Sequence, residues 1–438
     1  MVDASRGASG PLTGVRVLEF SQIVSLPFGG VLLADLGADV IKVEPLRGDP
    51  HRLRGAVIPK EGKRFQSLNR GKRSIAVDLA DQRGRELIYG LLPEIDVVTI
   101  NFRVGVADRL GIDYDTLRGH RADLIYCELS GFGNRGTMAK RAATDVVASA
   151  YSGLTFADMK TDDEGQPVQL TAISLADYVA GFSAALGISA ALRHREITGE
   201  GQRIDTSLLA AALSVQDTVV MREPLHDATV RDPMLERLIA ARQSGASYVD
   251  QVDLYATARL AARSSFRCYY RAYQVSDGYI VLGALTEAGR DGVRRALGIT
   301  DDNSDHPDFD SYDPVNVAFG DELLRRIEAQ MRMRTLDDWM EILAAEGVPV
   351  APIHAPEEMS DDPQVEALGL FETIEHPTLG EQRVIGSPLK MSATPPRVQG
   401  PSPRLGEHSF EVLREIGGLD ADALTALRDD GVIGQHED

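Results

Sequence analysis

The feature that most constrains the fold is an alternation of strand and helix patterns that begins near residue 15. VRVLEFS (Val15–Ser21) has the apolar, β-branched character of a strand, and DVIKVE (Asp39–Glu44) predicts a second strand. Between them, SLPFGG predicts a turn, and GVLLADLGA predicts a short helix that ends near Gly37. Two strands joined by a helix over so short a stretch form a βαβ unit, which requires a parallel sheet. The N-terminal part of the chain is therefore predicted to have an α/β fold.

The same alternation continues to about residue 130 and returns on a smaller scale in the second half of the chain. RSIAVDL, DVVTINF and DLIYCELS predict further strands, and RGRELIYGLLPEI and ADRLGIDYDTLRGHR predict the helices between them. After Asp145 the chain becomes rich in alanine, and its longest predicted helix runs from Thr171 to Arg195. FRCYYRAYQVSDGYIVLGAL predicts a hairpin around the turn at Asp277-Gly278. The sequence thus predicts a doubly wound α/β layer and a second, smaller α/β unit that ends near Pro349.

Charge and composition argue against several classes of function. The 438-residue chain carries a net charge of −20, which disfavours general affinity for nucleic acid or anionic membranes. No apolar stretch looks long and uncharged enough to span a membrane, and Met1–Pro11 lacks the apolar core of a signal peptide. The two cysteines, Cys127 and Cys268, give no disulfide framework, so a reducing cytoplasm is the expected location.

The charge is unevenly distributed along the chain. Residues 1–73 hold 12 Lys and Arg against 7 Asp and Glu, although the whole protein is acidic. A locally basic part of an acidic protein suggests a site for an anionic small molecule. Clustering of exposed charges on a solvated face explains the same observation equally well.

Motifs for other chemistries are weak in this sequence. GFGNRG (Gly131–Gly136) matches the dinucleotide-binding pattern, but it follows a later strand rather than the first one, so nicotinamide or flavin binding is not expected. The sequence contains no H-E-x-x-H, C-x-x-C or G-x-S-x-G motif, and no metal site is expected. The acid-rich run from Asp301 to Asp313 lacks the glycine and the closing glutamate of a calcium loop, so it predicts a solvated loop.

Asp177 is the one carboxylate near the start of the alanine- and glycine-rich helix, and it has two interpretations. Ser174 lies three residues earlier, so S-x-x-D forms a capping-box pattern that would hold the start of the helix. Alternatively, the acid is chemically active. A carboxylate in the first turn is expected to stay ionised beside the positive end of the helix dipole, and small neighbours such as Ala180 and Gly181 leave room for a ligand. Such a carboxylate can attack an activated carbonyl and form a covalent acyl intermediate.

A set of segments in a fixed order gives the sequence a family resemblance over nearly the whole chain. The segments are GVRVLEFSQIVSLPFGGVLLADLGADVIKVEP, NRGKRSIAVDL, DVVTINFRVGVADRLGIDY, LIYCELSGFG, ADYVAGFSAALGISAALRHREITGEGQRIDTSLL, GVPVAPIHAPEE and GSPLKMSATPP. Together they resemble the family III CoA-transferases, which include formyl-CoA transferase and the carnitine CoA-transferases and share a fold with α-methylacyl-CoA racemase.

The resemblance implies roles for two acids. Asp177 matches the nucleophile of the transferases, and Asp145 matches an acid that lies close to it, in the loop after GFG. In racemases of this fold a histidine precedes that second acid and shuttles the α-proton. Here the preceding residue is Thr144, which cannot act as a base, so the sequence resembles a transferase more closely than a racemase.

The resemblance also implies a coenzyme A site, with CoA or acyl-CoA as substrate and no permanently bound cofactor. CoA phosphates require cations, and Arg70, Lys72 and Arg73 form a cluster within the locally basic part of the chain. Two departures from formyl-CoA transferase weaken the case for formyl or oxalate as the transferred groups: Val24 replaces a glutamine, and a run of glycines in the small domain is missing. The residues that the resemblance and this cluster assign to the CoA site are Val24, Ser25, Arg73, Val77, Asp78, Leu79, Ala80, Asn101, Phe102, Arg103, Arg109 and Arg141.

The implied architecture and reaction follow from the same resemblance. Residues 1–211 and 350–438 would form a large Rossmann-like domain from both chain ends, 212–264 a helical crossing segment, and 265–349 the small α/β domain. Two subunits would interlock as a homodimer. The reaction would move CoA from an acyl-CoA donor to a carboxylic acid through an aspartyl anhydride and an aspartyl–CoA thioester. An acyl-CoA racemase or isomerase and a catalytically silent CoA-binding protein are the alternatives.

Overall fold

A parallel sheet forms the centre of the structure, as the sequence predicts. The computed structural model describes residues 10–169, 173–260, 266–310 and 313–436. Its strands are β1 (Arg16–Phe20), β2 (Asp39–Glu44), β3 (Arg73–Val77), β4 (Val97–Ile100), β5 (Ile125–Ser130), β6 (Arg203–Ser207), β7 (Tyr270–Gln274), β8 (Tyr279–Gly283), β9 (Val350–Pro352), β10 (Phe371–His376), β11 (Gly380–Ile385) and β12 (Ile433–Gly434).

Helices separate most of these strands along the chain. They are α1 (Ser25–Asp35), α2 (Lys63–Asn69), α3 (Gln82–Leu91), α4 (Val106–Leu110), α5 (Tyr114–Arg118), α6 (Asp145–Tyr151), α7 (Leu154–Ala157), α8 (Leu175–Thr198), α9 (Leu208–Ser214), α10 (Asp217–Val220), α11 (Pro224–His226), α12 (Asp232–Gln243), α13 (Tyr248–Leu260), α14 (Glu287–Leu297), α15 (Pro314–Met331), α16 (Leu336–Ala345), α17 (Pro363–Ala367), α18 (Ser409–Glu415) and α19 (Ala421–Asp429).

The central sheet has the strand order β12-β3-β2-β1-β4-β5-β6. Strands β1 to β6 pair in parallel, whereas β12, from the C-terminal end of the chain, pairs antiparallel with β3. The chain winds outward from β1 in one direction through β2 and β3, and in the other direction through β4 to β6. The winding therefore reverses between β1 and β4, and in open α/β sheets ligands bind beyond the carboxyl ends of the strands at this point.

The sheet buries both of its faces, and neighbouring residues on one strand contribute to opposite faces. Val17 and Val97 belong to the apolar cluster that includes residues of α1, α8 and α9. Leu18 and Val98 belong to the cluster on the other face, with residues of α3, α18 and α19. Side chains alternate along a strand, so burial on both sides produces the near-continuous apolar runs of the sequence. Each such side chain contributes about 1.5–3 kcal/mol on leaving water.

The chain divides into two compact units, and both chain ends fall in the larger one. The larger unit comprises residues 1–160, 168–221 and 363–438, as far as these are described, and the smaller comprises 161–167 and 222–362. In the smaller unit β7, β8 and β9 form an antiparallel sheet, and its core includes Trp339 of α16 and Leu323 of α15. The hairpin predicted around Asp277-Gly278 is confirmed as β7–β8. The smaller unit extends to residue 362, past the predicted limit of 349, and residues 212–221 lie in the larger unit rather than in the predicted crossing segment.

Two local predictions are wrong, and one hairpin was missed. The SLPFGG segment is helical, because α1 begins at Ser25 and includes Gly29 and Gly30. The helix predicted over ADRLGIDYDTLRGHR is split into α4 and α5 by Gly111, which has a left-handed φ of 67°. The antiparallel hairpin β10–β11 was not predicted. The long helix begins at Leu175, and the first residues of its predicted range, Thr171 and Ala172, lie outside the described residues.

Candidate active site

Helix α8 carries Asp177 in its first turn and packs closely on α1. Gly181 lies one turn after Asp177 and faces α1: a Cβ atom at Gly181 would lie 2.6 Å from the carbonyl oxygen of Ser25. Phe28 of α1 makes edge-to-face contacts with Tyr178 and Phe182 of α8, at centroid distances of 4.8 and 5.0 Å. The small residues of α8 thus let the two helix backbones approach, and this approach brings the first turn of α8 next to the first turn of α1.

By length and composition, α8 could also cross a membrane, which corrects the expectation that the chain contains no such stretch. The helix has 24 residues, and its most apolar 18-residue window has a mean hydropathy of 1.5. Core helices of globular proteins satisfy the same criteria. Here Ala180, Ala184 and Ile188 of α8 belong to the apolar cluster on one face of the central sheet.

The start of α8 is capped by a residue that is distant in the sequence, and the predicted capping box is not formed. Ser174 is the N-cap residue, but its side chain makes no capping hydrogen bond. Instead, the backbone N–H of Asp177 donates to Oδ1 of Asp145 at 3.1 Å, and the N–H groups of Asp177 and Ala176 both favour the charged form of this carboxyl group. Asp145 therefore performs the capping function, at the start of α6. The side chain of Asp177 is left available for another role.

The Asp177 carboxyl group lies in an environment that disfavours its charge. Burial and the neighbouring Asp145 carboxylate raise the pKa of Asp177 from 3.8 to about 7, against the opposing effects of a hydrogen bond with Ser25 and the positive charge of Arg64. Burial likewise raises the pKa of Asp145, although the two N–H groups and Arg64 oppose the rise. The expectation that Asp177 stays fully ionised in the free protein is therefore wrong, because desolvation outweighs the favourable end of the helix dipole.

The turn between β1 and α1 leads into Ser25, the first residue of α1. Several side chains hold the backbone of this turn in an uncommon conformation. Ile23 has a φ of 74°, which is rare for a β-branched residue. Its N–H donates to Oδ2 of Asp49 at 3.2 Å. Asn101, which follows β4, accepts from the N–H of Gln22 at 3.0 Å and donates to the carbonyl of Gln22 at 2.8 Å. The Gln22–Asn101 contacts bridge β1 and β4, where the winding of the sheet reverses.

A buried ionic network lies beneath this turn. Lys72 Nζ contacts both carboxylate oxygens of Glu19 at 3.0 Å and donates to the carbonyl of Pro27 at 2.8 Å. Lys42 Nζ contacts Asp49 at 3.2 Å and donates to the carbonyl of Ser21 at 2.7 Å. Burial lowers the pKa of Lys72 to about 8, although the charge of Glu19 opposes this change. The network ties the strand before the turn to the helix after it.

These contacts correct the prediction of a phosphate-binding cluster at Arg70, Lys72 and Arg73. Arg70 pairs with Asp35, and Arg73 pairs with Asp39, Glu411 and Glu415. All three cations are buried. Because their charges are already matched inside the protein, we remove them, including Arg73, from the candidate CoA site.

The remaining residues assigned to CoA lie in three segments that follow strands β1, β3 and β4, together with Arg109 of α4 and Arg141 in the loop between β5 and α6. Val24 precedes Ser25 and is buried, and Val77 ends β3 with Asp78, Leu79 and Ala80 directly after it. Asn101, Phe102 and Arg103 follow β4. The carboxyl ends of parallel strands share one sheet edge, so these segments lie on the same edge as Ser25. Arg103, Arg109 and Arg141 are exposed, and none of them has an ion pair within the ranges that the structure describes. Their role in CoA binding stays a prediction.

Sequence analysis missed two residues of this site, Arg64 and Asp49. Arg64 lies at the start of α2, and its Nη2 donates to Oγ of Ser174, the N-cap of α8, at 3.1 Å. Asp49 holds the backbone of Ile23. The excess of cations before residue 73 pointed toward Arg64, but nothing in the sequence marks Asp49, because its contacts require strands β1 and β2 to be paired.

The structure offers no metal site among its described residues. In the acid-rich run, Asp302 and Asp305 pair with Arg294, and Asp301 pairs with Arg326. These carboxylates are therefore matched by arginines of the same unit.

Comparison with known proteins shows which family the chain matches. A family model described as CoA-transferase family III matches residues 12–409. The chain is 32% identical to the succinate–glutarate CoA-transferase of Agrobacterium fabrum over 428 residues, covering 94% of this chain and 97% of that protein. It is 31% identical to the succinyl-CoA:mesaconate CoA-transferase of Haloarcula hispanica, covering 93% and 97%.

A solved structure has the same fold. The crystal structure of a CaiB/BaiF family protein from Brucella suis aligns with a TM-score of 0.71 at 30% identity, covering 93% of this chain and all of that one. The agreement of sequence and fold over almost the full length leads to one conclusion: this protein is an enzyme of the CoA-transferase family III.

Proposed function

We propose that the protein transfers CoA from an acyl-CoA donor to a carboxylic acid, with Asp177 as the covalent acceptor. The observation that carries this proposal is the arrangement at the start of α8. Asp145 caps the helix, so Asp177 is free of that task, and the close packing of α8 on α1 places Asp177 beside Ser25, at the sheet edge where the winding reverses. A nucleophile at this edge is well placed for a CoA thioester bound beyond strands β3 and β4.

The proposed reaction conserves the energy of the thioester. An oxygen of Asp177 attacks the thioester carbonyl, the C–S bond breaks, and CoA leaves as thiolate from a mixed anhydride. The thiolate then attacks the Asp177 carbonyl carbon, which releases the donor acid as a carboxylate and leaves an aspartyl–CoA thioester. The acceptor carboxylate attacks that thioester and expels the thiolate, and the thiolate attacks the acyl carbonyl of the new anhydride. Asp177 returns as a carboxylate, and no net proton is consumed.

The raised pKa of Asp177 is consistent with this chemistry. A partly desolvated carboxylate is more nucleophilic than one that is fully hydrated, and its repulsion by Asp145 ends when the carboxylate becomes a neutral anhydride. The Ser25 hydroxyl lies close enough to Asp177 to favour its charged form, so it lowers the pKa of Asp177 against the larger effect of burial. Asp145 holds the backbone N–H of Asp177, which makes it a positioning residue.

The substrates of the relatives narrow the search for the substrates of this protein. The relatives are named for succinate, glutarate and mesaconate, which are all dicarboxylic acids. We infer that this protein also acts on dicarboxylic acids or their CoA esters. A panel of donors and acceptors should therefore pair each dicarboxylate with the monocarboxylate of equal length.

We also propose that the protein works as an interlocked homodimer in the cytoplasm. Support for a dimer comes from apolar side chains that a single chain leaves exposed on α8, among them Phe182 and Leu186. Both cysteines are buried free thiols, which is compatible with a reducing compartment.

Trapping with hydroxylamine tests the covalent role of Asp177. Hydroxylamine added after incubation with acyl-CoA should convert Asp177 to a hydroxamate that peptide mass spectrometry detects. Asp177→Asn should give no hydroxamate and lose at least about 10³-fold in transfer rate, as expected for loss of a covalent nucleophile. Asp422→Asn, which changes an exposed first-turn acid of α19, is the matched control and should behave as wild type.

The same experiment separates the alternatives. Asp177→Asn must retain CoA binding by calorimetry, so that its inactivity cannot be attributed to misfolding. Wild-type protein that binds CoA without forming a hydroxamate would instead be a silent CoA-binding protein. Deuterium that enters the α-carbon of a 2-methylacyl-CoA without any acceptor would indicate a racemase.

A further inference from the structure

The cations of the N-terminal segment fall into two groups. The first group consists of cations that are themselves buried and that pair with carboxylates: Lys42, Arg52, Arg70, Lys72 and Arg73. A second group lies exposed between β2 and the first turn of α2, and the described residues give its members no ion pair: Arg47, Arg54, Lys60, Lys63 and Arg64. The two acids of the same stretch, Asp49 and Glu61, are both buried. The surface here is therefore left positive in a strongly acidic protein.

Arg64 differs from the other exposed cations by its position beside the nucleophile. Its Nη2 atom donates to Ser174, three residues before Asp177, and its charge acts on the carboxyl groups of both Asp177 and Asp145. A guanidinium has five N–H donors in a planar fork, and the described contacts use one of its nitrogens. The rest of the fork remains available to an incoming anion.

A second polar group near Arg64 also lacks a partner. His51 is only 4% exposed, and its Nδ1 atom has no hydrogen-bond partner among the described residues. Burial lowers the pKa of His51, and the charge of Arg64 adds to this effect. Buried polar atoms are normally satisfied, so an unpartnered one beside an unpaired arginine marks a place where a ligand atom completes the structure.

We propose that Arg64 binds the second carboxylate of a dicarboxylic acyl group whose other end reacts at Asp177. The proposal rests on the function proposed above and assigns its substrate specificity to a residue. Arg64 contacts the residue that begins α8, so it lies at the reacting end of the site, whereas the segments assigned to CoA follow β3 and β4. A carboxylate separated from the thioester by a short aliphatic chain matches the planar fork of a guanidinium. A monocarboxylic acyl group would leave that fork unpaired.

The test compares succinyl-CoA with butyryl-CoA, which have equal chain length and differ in the distal carboxylate. Arg64→Gln should lower kcat/KM for succinyl-CoA by about 10- to 100-fold, mainly through KM, as loss of a charge-assisted hydrogen bond predicts. Its kcat/KM for butyryl-CoA should stay within about twofold of wild type. Arg64→Lys should recover part of the loss, because it keeps the charge without the fork. Lys63→Ala removes an exposed neighbouring charge on the same helix. It should leave kcat/KM for both donors unchanged.

Other results would overturn the assignment. If Arg64 only tuned the charge of Asp177, Arg64→Gln would lower kcat/KM equally for succinyl-CoA and butyryl-CoA. It would also shift the pH dependence of the reaction with both donors. A wild-type enzyme that prefers butyryl-CoA, or that uses neither donor, would also contradict a dicarboxylate site. These outcomes are distinct from failure of the proposed function, because hydroxamate formation at Asp177 with any acyl-CoA would still show a working nucleophile.

Discussion

Asp177 is proposed to react as a carboxylate, but it lies in surroundings that disfavour a negative charge. The proposed reaction needs the carboxylate form of Asp177, yet burial and the nearby Asp145 disfavour that form and raise the pKa to about 7. A group kept in such surroundings costs folding free energy whenever it is charged. Side chains that weaken the fold in this way are characteristic of functional sites, where activity requires groups that lower the stability of the folded state.

This cost predicts a pH-dependent gain in stability for Asp177→Asn. The folded pKa is raised, so between pH 4 and pH 7 the folded protein holds more protons than the unfolded chain, and its stability falls as pH rises through this window. Above pH 7 the whole cost is present. The asparagine variant avoids it and should be more stable than wild type at pH 8, by on the order of 3 kcal/mol, but not at pH 4. Urea unfolding at the two pH values measures the difference, and an equal difference at both would contradict the assignment.

The sequence predicts roles for individual residues, and the structure adds the contacts between them. The position of Asp177 in a motif predicts that it is the nucleophile, with Asp145 as its companion, and both roles stay predictions. Their relationship was not predictable, because the cap on α8 comes from a residue 32 positions away. The local S-x-x-D pattern suggested a nearer partner, Ser174, which contacts Arg64 instead.

The candidate site depends on the packing of helix α1 against helix α8, and glycine residues make this close contact possible. Gly29 and Gly181 face each other, and a Cβ atom on Gly29 would lie 3.1 Å from the carbonyl oxygen of Gly181. Gly30 is equally confined, because a Cβ atom there would lie 2.1 Å from a carboxylate oxygen of Glu19. Sequence analysis interpreted Gly29 and Gly30 as signs of a turn. The structure uses them inside a helix, and Pro27 is tolerated because first-turn N–H groups need no helical partner.

Gly181→Ala tests the contact between the two helices. Its new methyl group would lie 2.6 Å from the carbonyl of Ser25, so one helix must shift and move Ser25 away from Asp177. We expect a loss of about 1–3 kcal/mol in stability together with a drop of at least tenfold in transfer rate. Thermal unfolding and steady-state kinetics measure the two effects.

Gly90→Ala is the matched control for this substitution. Gly90 lies within α3, and a Cβ atom there meets no neighbour within 4 Å. This variant should keep full activity and gain up to about 1 kcal/mol, because alanine is a better helix former than glycine. Similar losses from both substitutions would show that helix α8 has no special contact to protect.

At the scale of the whole molecule, the larger unit leaves many large apolar side chains exposed. The exposed apolar residues on α6, α8 and α10 include Val146, Val147, Tyr151, Phe182, Leu186, Ile197, Val219 and Val220. Leu186 is 73% exposed on a helix whose opposite side lies in the core. Exposed apolar side chains on these helices are what the proposed dimer would cover.

Light scattering after size exclusion tests the proposed dimer. Wild-type protein should have a mass of about twice the 47.5 kDa of one chain. If the subunits interlock, this mass should persist on dilution to nanomolar concentration, because separation then requires unfolding. Leu186→Asp should reduce the dimer fraction, whereas Val315→Asp, an exposed apolar position in the smaller unit, should not. A wild-type mass of one chain would refute the dimer.

The amino-acid sequence by itself determined the α/β class, the parallel central sheet and the family, because strand–helix alternation and motif order are properties of neighbouring residues. It also led to the prediction that Asp177 and Asp145 act in the reaction. The tertiary structure alone decided which charges are buried and paired and which stay exposed. Lys72 and Arg73 look the same as Arg64 in the sequence, but pairing of strands and helices buries the first two beside carboxylates and leaves the third exposed without one. Burial and long-range contact are set only when distant segments meet, and they control the pKa of Asp177 and the availability of Arg64.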